Sequence, residues 1–390
     1  MLSRIDIVNF RSLQNFHAPK VGRVNLIVGR NNSGKSSVLE ALRIYAGGAT
    51  RSLLEEIAHE HDEQAYYFDE ETSSAGQFPF TNFFTRQEGH SKTNRIEIGN
   101  RADDNCLMSI DRAFFKEVEE LYVSSSSQKQ LTRTKYTKVT DNELSSHQGL
   151  LRPGLEIKKG GRQRRLFLDH TPRNYRPMEV IKPENYSYIP SRTVQNDELA
   201  REWDKILFTA KGDLVMSTIR YVAPDLEALA FIESENFLSP RIDGRLDFSS
   251  RENRRIPVVK LRGISGTMPL NSLGDGAFRV FNLAMKTINA QNGHLLIDEF
   301  ENGIHYSAQK KLWEFIFEMS KRFNFQVFAT THSWDCISTF SEVAVQDEQV
   351  EGMLFRVGKS VRSSDRGKTI VTSFDEGQLF GIQQSDLEVR

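Results

Sequence analysis

Cysteine is nearly absent from this chain. Its 390 residues hold two, Cys106 and Cys336, far apart in sequence. Two such residues build no disulfide framework and match no zinc-ligand spacing. Long apolar runs are missing too, and nothing approaches the ~20 residues that cross a bilayer as a helix. The start, Met1-Leu2-Ser3-Arg4-Ile5-Asp6, lacks the charged-then-apolar order of a signal peptide, because Asp6 and Asn9 interrupt it. There are no sustained heptads, so no long coiled-coil arm is expected. No internal repeat of fixed period is apparent. Together these absences predict a cytoplasmic protein with no membrane partner.

Net charge is also close to absent, at −1, but the balance hides local asymmetry. Residues 124–192 carry 14 Lys/Arg against 6 Asp/Glu, whereas residues 51–71 carry one Arg against 8 acids. Separated patches of opposite sign suit nucleic acid, a partner or self-assembly, and equally suit plain solvated faces. Hydrophobic content of 38% is enough for a sizeable core.

The strongest positive signal is Gly29-Arg30-Asn31-Asn32-Ser33-Gly34-Lys35-Ser36, followed by Ser37. It has the G-x-x-x-x-G-K-[ST] spacing of a phosphate loop. The apolar run Val24 to Val28 before it reads as a buried strand. Val38, Leu39, Leu42 and Tyr45 after it share one face of a helix. Strand, loop and helix N-terminus aim several backbone N–H groups at one point, which suits an anion with several oxygens. Lys35 would add positive charge at the β- and γ-phosphates, and the Ser36 hydroxyl would ligate Mg²⁺.

Along the rest of the chain, residues 2–10 read as a strand on one edge of a nucleotide-binding sheet, and 95–98 and 106–110 as two more short strands. Residues 111–187, rich in Ser, Lys, Arg and Gly, read as an insertion with a few short strands. A helical pattern resumes at Asp197 through Leu199, Trp203, Ile206 and Leu207, then Leu214, Val215, Ile219 and Val222. Strands and turns are expected over 226–262, helices over 277–290 and 307–321, and buried strands over 294–297 and 325–330. Alternating strands and helices predict an α/β sheet.

A second half-site closes the pattern. Leu295-Leu296-Ile297-Asp298-Glu299 ends an apolar strand in two carboxylates, which burial disfavours unless a metal or partner compensates. In P-loop ATPases the first acid at this place helps hold Mg²⁺. The second can orient the attacking water. Ser272-Leu273-Gly274-Asp275-Gly276 opens another helix and makes a second anion-binding end. One ATP seldom needs two such ends from one chain, so a head-to-tail pair is expected. Thr331-His332-Ser333 follows the neighbouring core strand and brings His332 within reach of a γ-phosphate.

These pieces, with Ile7-Val8-Asn9-Phe10-Arg11-Ser12 and Asp298 to His305, resemble the ABC-type ATPase heads of the OLD, RecF and SMC-like group. The resemblance covers about 1–110 and 185–390. It implies an α/β fold: an ABC-type P-loop ATPase head with a mixed central sheet, an antiparallel β subdomain and an inserted basic subdomain over 111–184. It implies ATP and Mg²⁺ as cofactors, with phosphate contacts from Gly29, Asn31, Asn32, Ser33, Gly34, Lys35, Ser36 and Ser37. Ser36 and Asp298 would hold the metal, Glu299 would be the catalytic carboxylate and His332 the switch histidine. Ser272, Gly274 and Gly276 would reach the γ-phosphate of a facing subunit, with Glu301 to His305 at the dimer interface. Asp275 stands where transporters usually carry Gln. Gln77 and Gln87 both remain open as the glutamine loop.

OLD-type nucleases carry a TOPRIM domain after the ATPase, and about fifty residues follow Thr339 here. The expectation is therefore an ATPase without its own nuclease. The leading reading is a sensor or scaffold that controls a separate effector, a nuclease or toxin, in anti-phage defence. The alternative is a RecF-like DNA-binding ATPase, motivated by the basic insertion and by Arg241, Arg245, Arg251, Arg254 and Arg255. A transporter subunit ranks below both. Glu156-Ile157-Lys158 has the E-x-K form of a nuclease half-motif without a clear upstream partner. His59 and His61 are spaced poorly for a shared metal on a helix.

Overall fold

The computed structural model describes residues 1–63, 80–85, 95–123, 130–140, 151–168, 181–191, 196–233, 255–360, 369–375, 377–379 and 381. In chain order these give β1 (Ile5–Phe10), β2 (Leu13–Ala18), β3 (Val24–Val28), α1 (Lys35–Ala46) and α2 (Arg51–Glu60). Then come β4 (Arg95–Gly99), β5 (Leu107–Val123), β6 (Gln130–Lys138), β7 (Arg152–Lys159), β8 (Arg162–Phe167) and β9 (Tyr186–Ile189). The second half holds α3 (Asn196–Asp204), α4 (Ala210–Ile219), β10 (Leu226–Glu233), β11 (Arg255–Leu261) and β12 (Met268–Pro269). It ends with α5 (Asp275–Asn289), β13 (His294–Ile297), α6 (Tyr306–Arg322), β14 (Gln326–Thr331), α7 (Trp334–Gln346), β15 (Gly352–Lys359) and β16 (Thr369–Phe374).

One sheet runs β16-β15-β3-β14-β13-β9 and is parallel apart from β16. The phosphate-loop strand β3 lies inside it, flanked by β15 and β14. All five residues of β3 are buried. Val24, Leu26 and Val28 enter the core formed with the helices of the second half, while Ile27 enters a second core. This is the period-2 alternation of a strand covered on both faces. Asn25 is the polar exception. It is fully buried, and its amide is satisfied by Gly22 and the Val327 carbonyl.

The second core joins that sheet to an antiparallel one, β2-β1-β4-β5-β7-β8, with β6 also on β5. Here the expectation for residues 2–10 is corrected. Strand β1 does not edge the nucleotide-binding sheet; it pairs with β2 and β4 inside the antiparallel one. Only Arg11 and Ser12 separate β1 from β2, and so short a link permits only an antiparallel hairpin. Strand β5 crosses the expected 110/111 boundary without a break and pairs with β4 before it and β6 beyond it. The described strands of 111–184 thus extend the same sheet.

Helix α1 lies between the two sheets. Val38, Leu39, Ala41, Leu42, Ile44 and Tyr45 all enter the second core. Arg43, 1% exposed, is buried on the same helix. It survives there because Glu56 and Glu60 each accept from it at 2.7 Å, and Tyr188 stacks 3.9 Å from its guanidinium. The helical pattern from 197 onward divides in two, with Thr209 capping α4 through Gly212 N. A small sheet, β10-β11-β12, leads into α5.

Candidate functional site

The loop between β3 and α1 owes its shape to glycine. Gly34 takes φ +102° at the helix N-cap, and a Cβ there would lie 2.9 Å from a Leu13 methyl. The first turn of α1 therefore presents backbone N–H groups that have no intrahelical acceptor. Lys35 is 8% exposed and folds back on the loop, donating to the Gly29 carbonyl at 2.8 Å and the Arg30 carbonyl at 3.1 Å. Burial pulls its ammonium below the usual lysine range, against the opposing pull of Glu299, Asp298 and Glu301. Arg30 to Ser33 also line a cavity of about 500 Å³ with Arg356 to Ser360.

The fold brings the second half-site to this loop. Asp298 follows β13, and Ser36 Oγ donates to its Oδ1 at 3.4 Å, across 262 residues of sequence. Thr330 at the end of β14 ties the acids together. Its hydroxyl donates to Asp298 Oδ1 at 2.7 Å and accepts from the Glu299 N–H at 2.9 Å. Glu299 has φ +50°, a left-handed backbone uncommon for a residue with a Cβ. Four contacts hold it there. Phe300 donates its N–H to the Thr330 carbonyl at 2.9 Å, and its ring stacks on Trp313 at 3.9 Å. Arg279 of α5 donates to the Asp298 carbonyl at 2.7 Å and the Glu299 carbonyl at 3.0 Å.

Sequence reasoning assigned neither Thr330 nor Arg279 a task. Replacing Thr330 by valine keeps the shape and deletes the hydroxyl. Two buried partners would then lose a hydrogen bond, at about 1–3 kcal/mol. A denaturant midpoint unchanged in Thr330→Val would contradict that geometry.

His332 follows β14. Its Nδ1 lies 3.1 Å from Glu301 Oε1 and 3.8 Å from Glu299 Oε1. At the start of α5, Ser272, Gly274 and Asp275 are exposed. Gly276 packs against the loop after the acids, where a Cβ would come within 2.6 Å of the Gly303 carbonyl. One end of the sheet thus gathers Lys35, Ser36, Asp298, Glu299, Glu301 and His332. The oxygens of Ser36 and Asp298 are hard donors at a spacing that suits a small divalent cation. Gln77 and Gln87 lie outside the described residues.

Residues 1–337 match the family described as AAA ATPase domain. The chain belongs to that family. A curated relative, an "ATP/GTP phosphatase" of Helicobacter pylori, is 24% identical over 362 residues, spanning 88% of each chain. The ATPase is also similar in structure to an Smc head domain from Pyrococcus furiosus, solved with an extended coiled coil and bound to the C-terminal domain of ScpA. The TM-score is 0.50 at 12% identity, with 99% of each chain covered. Another Smc head, bound to the C-terminal winged-helix domain of ScpA, gives a TM-score of 0.49 at 13% identity, covering 96% of this chain and 97% of that one. The fold is that of an ABC-type P-loop ATPase with an SMC-like head.

Elsewhere on the ATPase, the E-x-K motif is a structural ion pair. Glu156 is buried on β7, which pushes its carboxyl up, but Lys138 at 3.1 Å and Lys158 at 3.4 Å outweigh burial and hold it below the usual range. His61 bonds Glu40 at 2.7 Å, and that bond raises its pKa. Tyr136 and Phe167 pack with Phe115 in a small core of their own. Much of the described basic charge is engaged internally. Lys159 reaches Glu184 and the Tyr45 carbonyl, Arg164 the Gly48 and Ala49 carbonyls, and Arg165 the Tyr136 carbonyl. Arg255 pairs with Asp204. Arg241, Arg245, Arg251, Arg254 and Tyr175 lie outside the described residues.

Proposed function

We propose that this ATPase grips ATP with Mg²⁺ between two copies of the chain and uses the closed pair to control a separate effector, a nuclease or toxin, in anti-phage defence. The observation that carries the paired site is the division of labour within one chain. Lys35, Ser36, Asp298, Glu299 and His332 converge on one place, while Ser272, Gly274 and Asp275 at the start of α5 are exposed. In this reading the N–H groups of Gly34 to Ser37 and the Lys35 ammonium seat the β- and γ-phosphates. Ser36 and Asp298 would hold the cation, which neutralises charge on the phosphate oxygens. Glu299 orients water for in-line attack, and its backbone is kept in place by Thr330 and Arg279. Ser272, Gly274 and Gly276 of the facing copy complete the cradle.

Mixing two inactive variants tests the pairing. Lys35→Ala destroys the phosphate loop, and Ser272→Arg blocks only the exposed turn. Each alone should be inactive. An equimolar mixture should regain turnover, because a mixed pair holds one intact site whereas neither variant paired with itself holds any. No recovery, with both variants folded and mixed dimers verified, would sink the shared site.

The Smc head bound to a ScpA domain supports the partner half of the reading, since a similar fold carries a protein on its surface. The defence role rests on the resemblance to stand-alone OLD-like ATPases. Plating phage on cells that carry this gene with and without its neighbours tests it. Protection should require the neighbouring gene, and protection by this chain alone would refute effector control. The engagement of Lys159, Arg164, Arg165 and Arg255 within the fold weighs against the RecF-like alternative for those residues. Salt-sensitive binding to duplex DNA would restore it.

A further inference from the structure

Strand β9 ends the parallel sheet, and Asn185 to Tyr188 and Pro190 line a cavity of about 980 Å³. On its other side β9 is bonded to β13. The His294 N–H donates to the Asn185 carbonyl at 3.0 Å, and the Asp298 N–H donates to the Ile189 carbonyl at 2.8 Å. Backbone groups alternate in direction along a strand, so the N–H and C=O of Tyr186 and Tyr188 face away from β13, toward the cavity. Among the described residues no further strand pairs with them. Such an edge is a ready template for another extended chain.

The walls of the cavity say what kind of chain fits. Tyr186 and Tyr188 pack on the core that holds α2, whereas Ile189 belongs to the core that holds α3. One wall is therefore α2, where Glu56 and Glu60 share the buried Arg43. The other is α3, where Glu198 at 3.4 Å and Glu202 at 3.1 Å share Lys286 of α5. The two cations are 1% and 11% exposed, and the four carboxylates lie between 22% and 59%. With two carboxylates to each cation, each wall keeps a net negative charge at its rim. Lys205 is the one exposed cation among the described lining residues. A strand laid on β9 would turn successive side chains to opposite walls. We propose that this groove docks an extended basic segment of a partner protein. The segment adds a strand to β9 and sets Lys or Arg side chains against the carboxylates of α2 and α3. The same rims repel a nucleic-acid backbone. The inference stands apart from how ATP is held.

The probe is the peptide Thr-Lys-Arg-Thr-Lys-Arg-Val-Thr, which carries cations on both faces of a strand. Added to the full chain, it should bind by fluorescence anisotropy, and hydrogen exchange at the Tyr186 and Tyr188 amides should slow at least tenfold. The same peptide N-methylated throughout keeps its charge, cannot pair as a strand and should not bind. Glu56→Gln combined with Glu198→Gln leaves Glu60 and Glu202 to hold the buried cations. In that variant peptide affinity should fall about tenfold with ATP turnover unchanged. No binding of the parent peptide at millimolar concentration would overturn the proposal. Equal binding by the N-methylated peptide, or by one with glutamate at every cationic position, would also overturn it, as would unprotected Tyr186 and Tyr188 amides in the complex. Protection of those amides in the free chain that disappears on dilution would assign the edge to a second copy and refute the partner reading.

Discussion

Replacing Lys35 by alanine is expected to end ATP turnover and ATP-dependent pairing together. The side chain is buried, and its ammonium bridges two loop carbonyls. Three carboxylates stand near enough to favour its charged form against burial. A phosphate arriving at the first turn of α1 would offer that ammonium oxygens in place of carbonyls. Its removal deletes a preorganised cation, and one such contact is worth about a hundred- to a thousandfold in rate, or ~3–4 kcal/mol. Phosphate release at saturating ATP measures the loss. Turnover within tenfold of wild type would show that the loop does not seat the reacting phosphates.

Glu299→Gln should separate what Lys35→Ala confounds. Gln has the same chain length and branching, so it meets the same left-handed backbone at φ +50° and still donates its N–H to Thr330. What disappears is the charge that orients and activates water. Turnover should fall about a hundred- to a thousandfold. ATP binding should persist, and the closed pair should accumulate because nothing consumes the nucleotide. Mass measured in solution with ATP and Mg²⁺ should double for Glu299→Gln and stay monomeric for Lys35→Ala. The pair also separates two biological readings. If turnover drives function, both variants lose it. If bound ATP serves only to hold copies together, Glu299→Gln keeps function, and wild-type turnover is itself negligible.

The sequence made the two halves of the site legible because each is a local pattern. The phosphate loop announces itself by glycine spacing between an apolar strand and an amphipathic helix. Asp298 and Glu299 announce themselves as charges ending a buried strand. The tasks of Arg279 and Thr330 do not, because the groups they hold lie 19 to 32 residues away in sequence. No spacing rule encodes contacts made by tertiary folding. The placement of β1 was misread for a related reason. Its burial, with Ile5 and Ile7 on one face and Asp6 and Phe10 on the other, says nothing of which sheet the strand joins. The two-residue link to β2 held that information. Helix α7 was legible but passed over: Cys336, Ile337, Phe340, Val343 and Ala344 keep one face, and Ser333 caps it through the Cys336 N–H.

Sandwiching α1 between two sheets has a consequence for the timing of events at the loop it carries. Its apolar residues are sealed on both sides, so its middle turns can exchange amide hydrogen with solvent only when the sheets part, which amounts to global opening. The platform is therefore rigid before nucleotide arrives. Little ordering entropy is left to lose on capture, and any slow step in the cycle should arise in the approach of the second copy rather than in the first grip on phosphate.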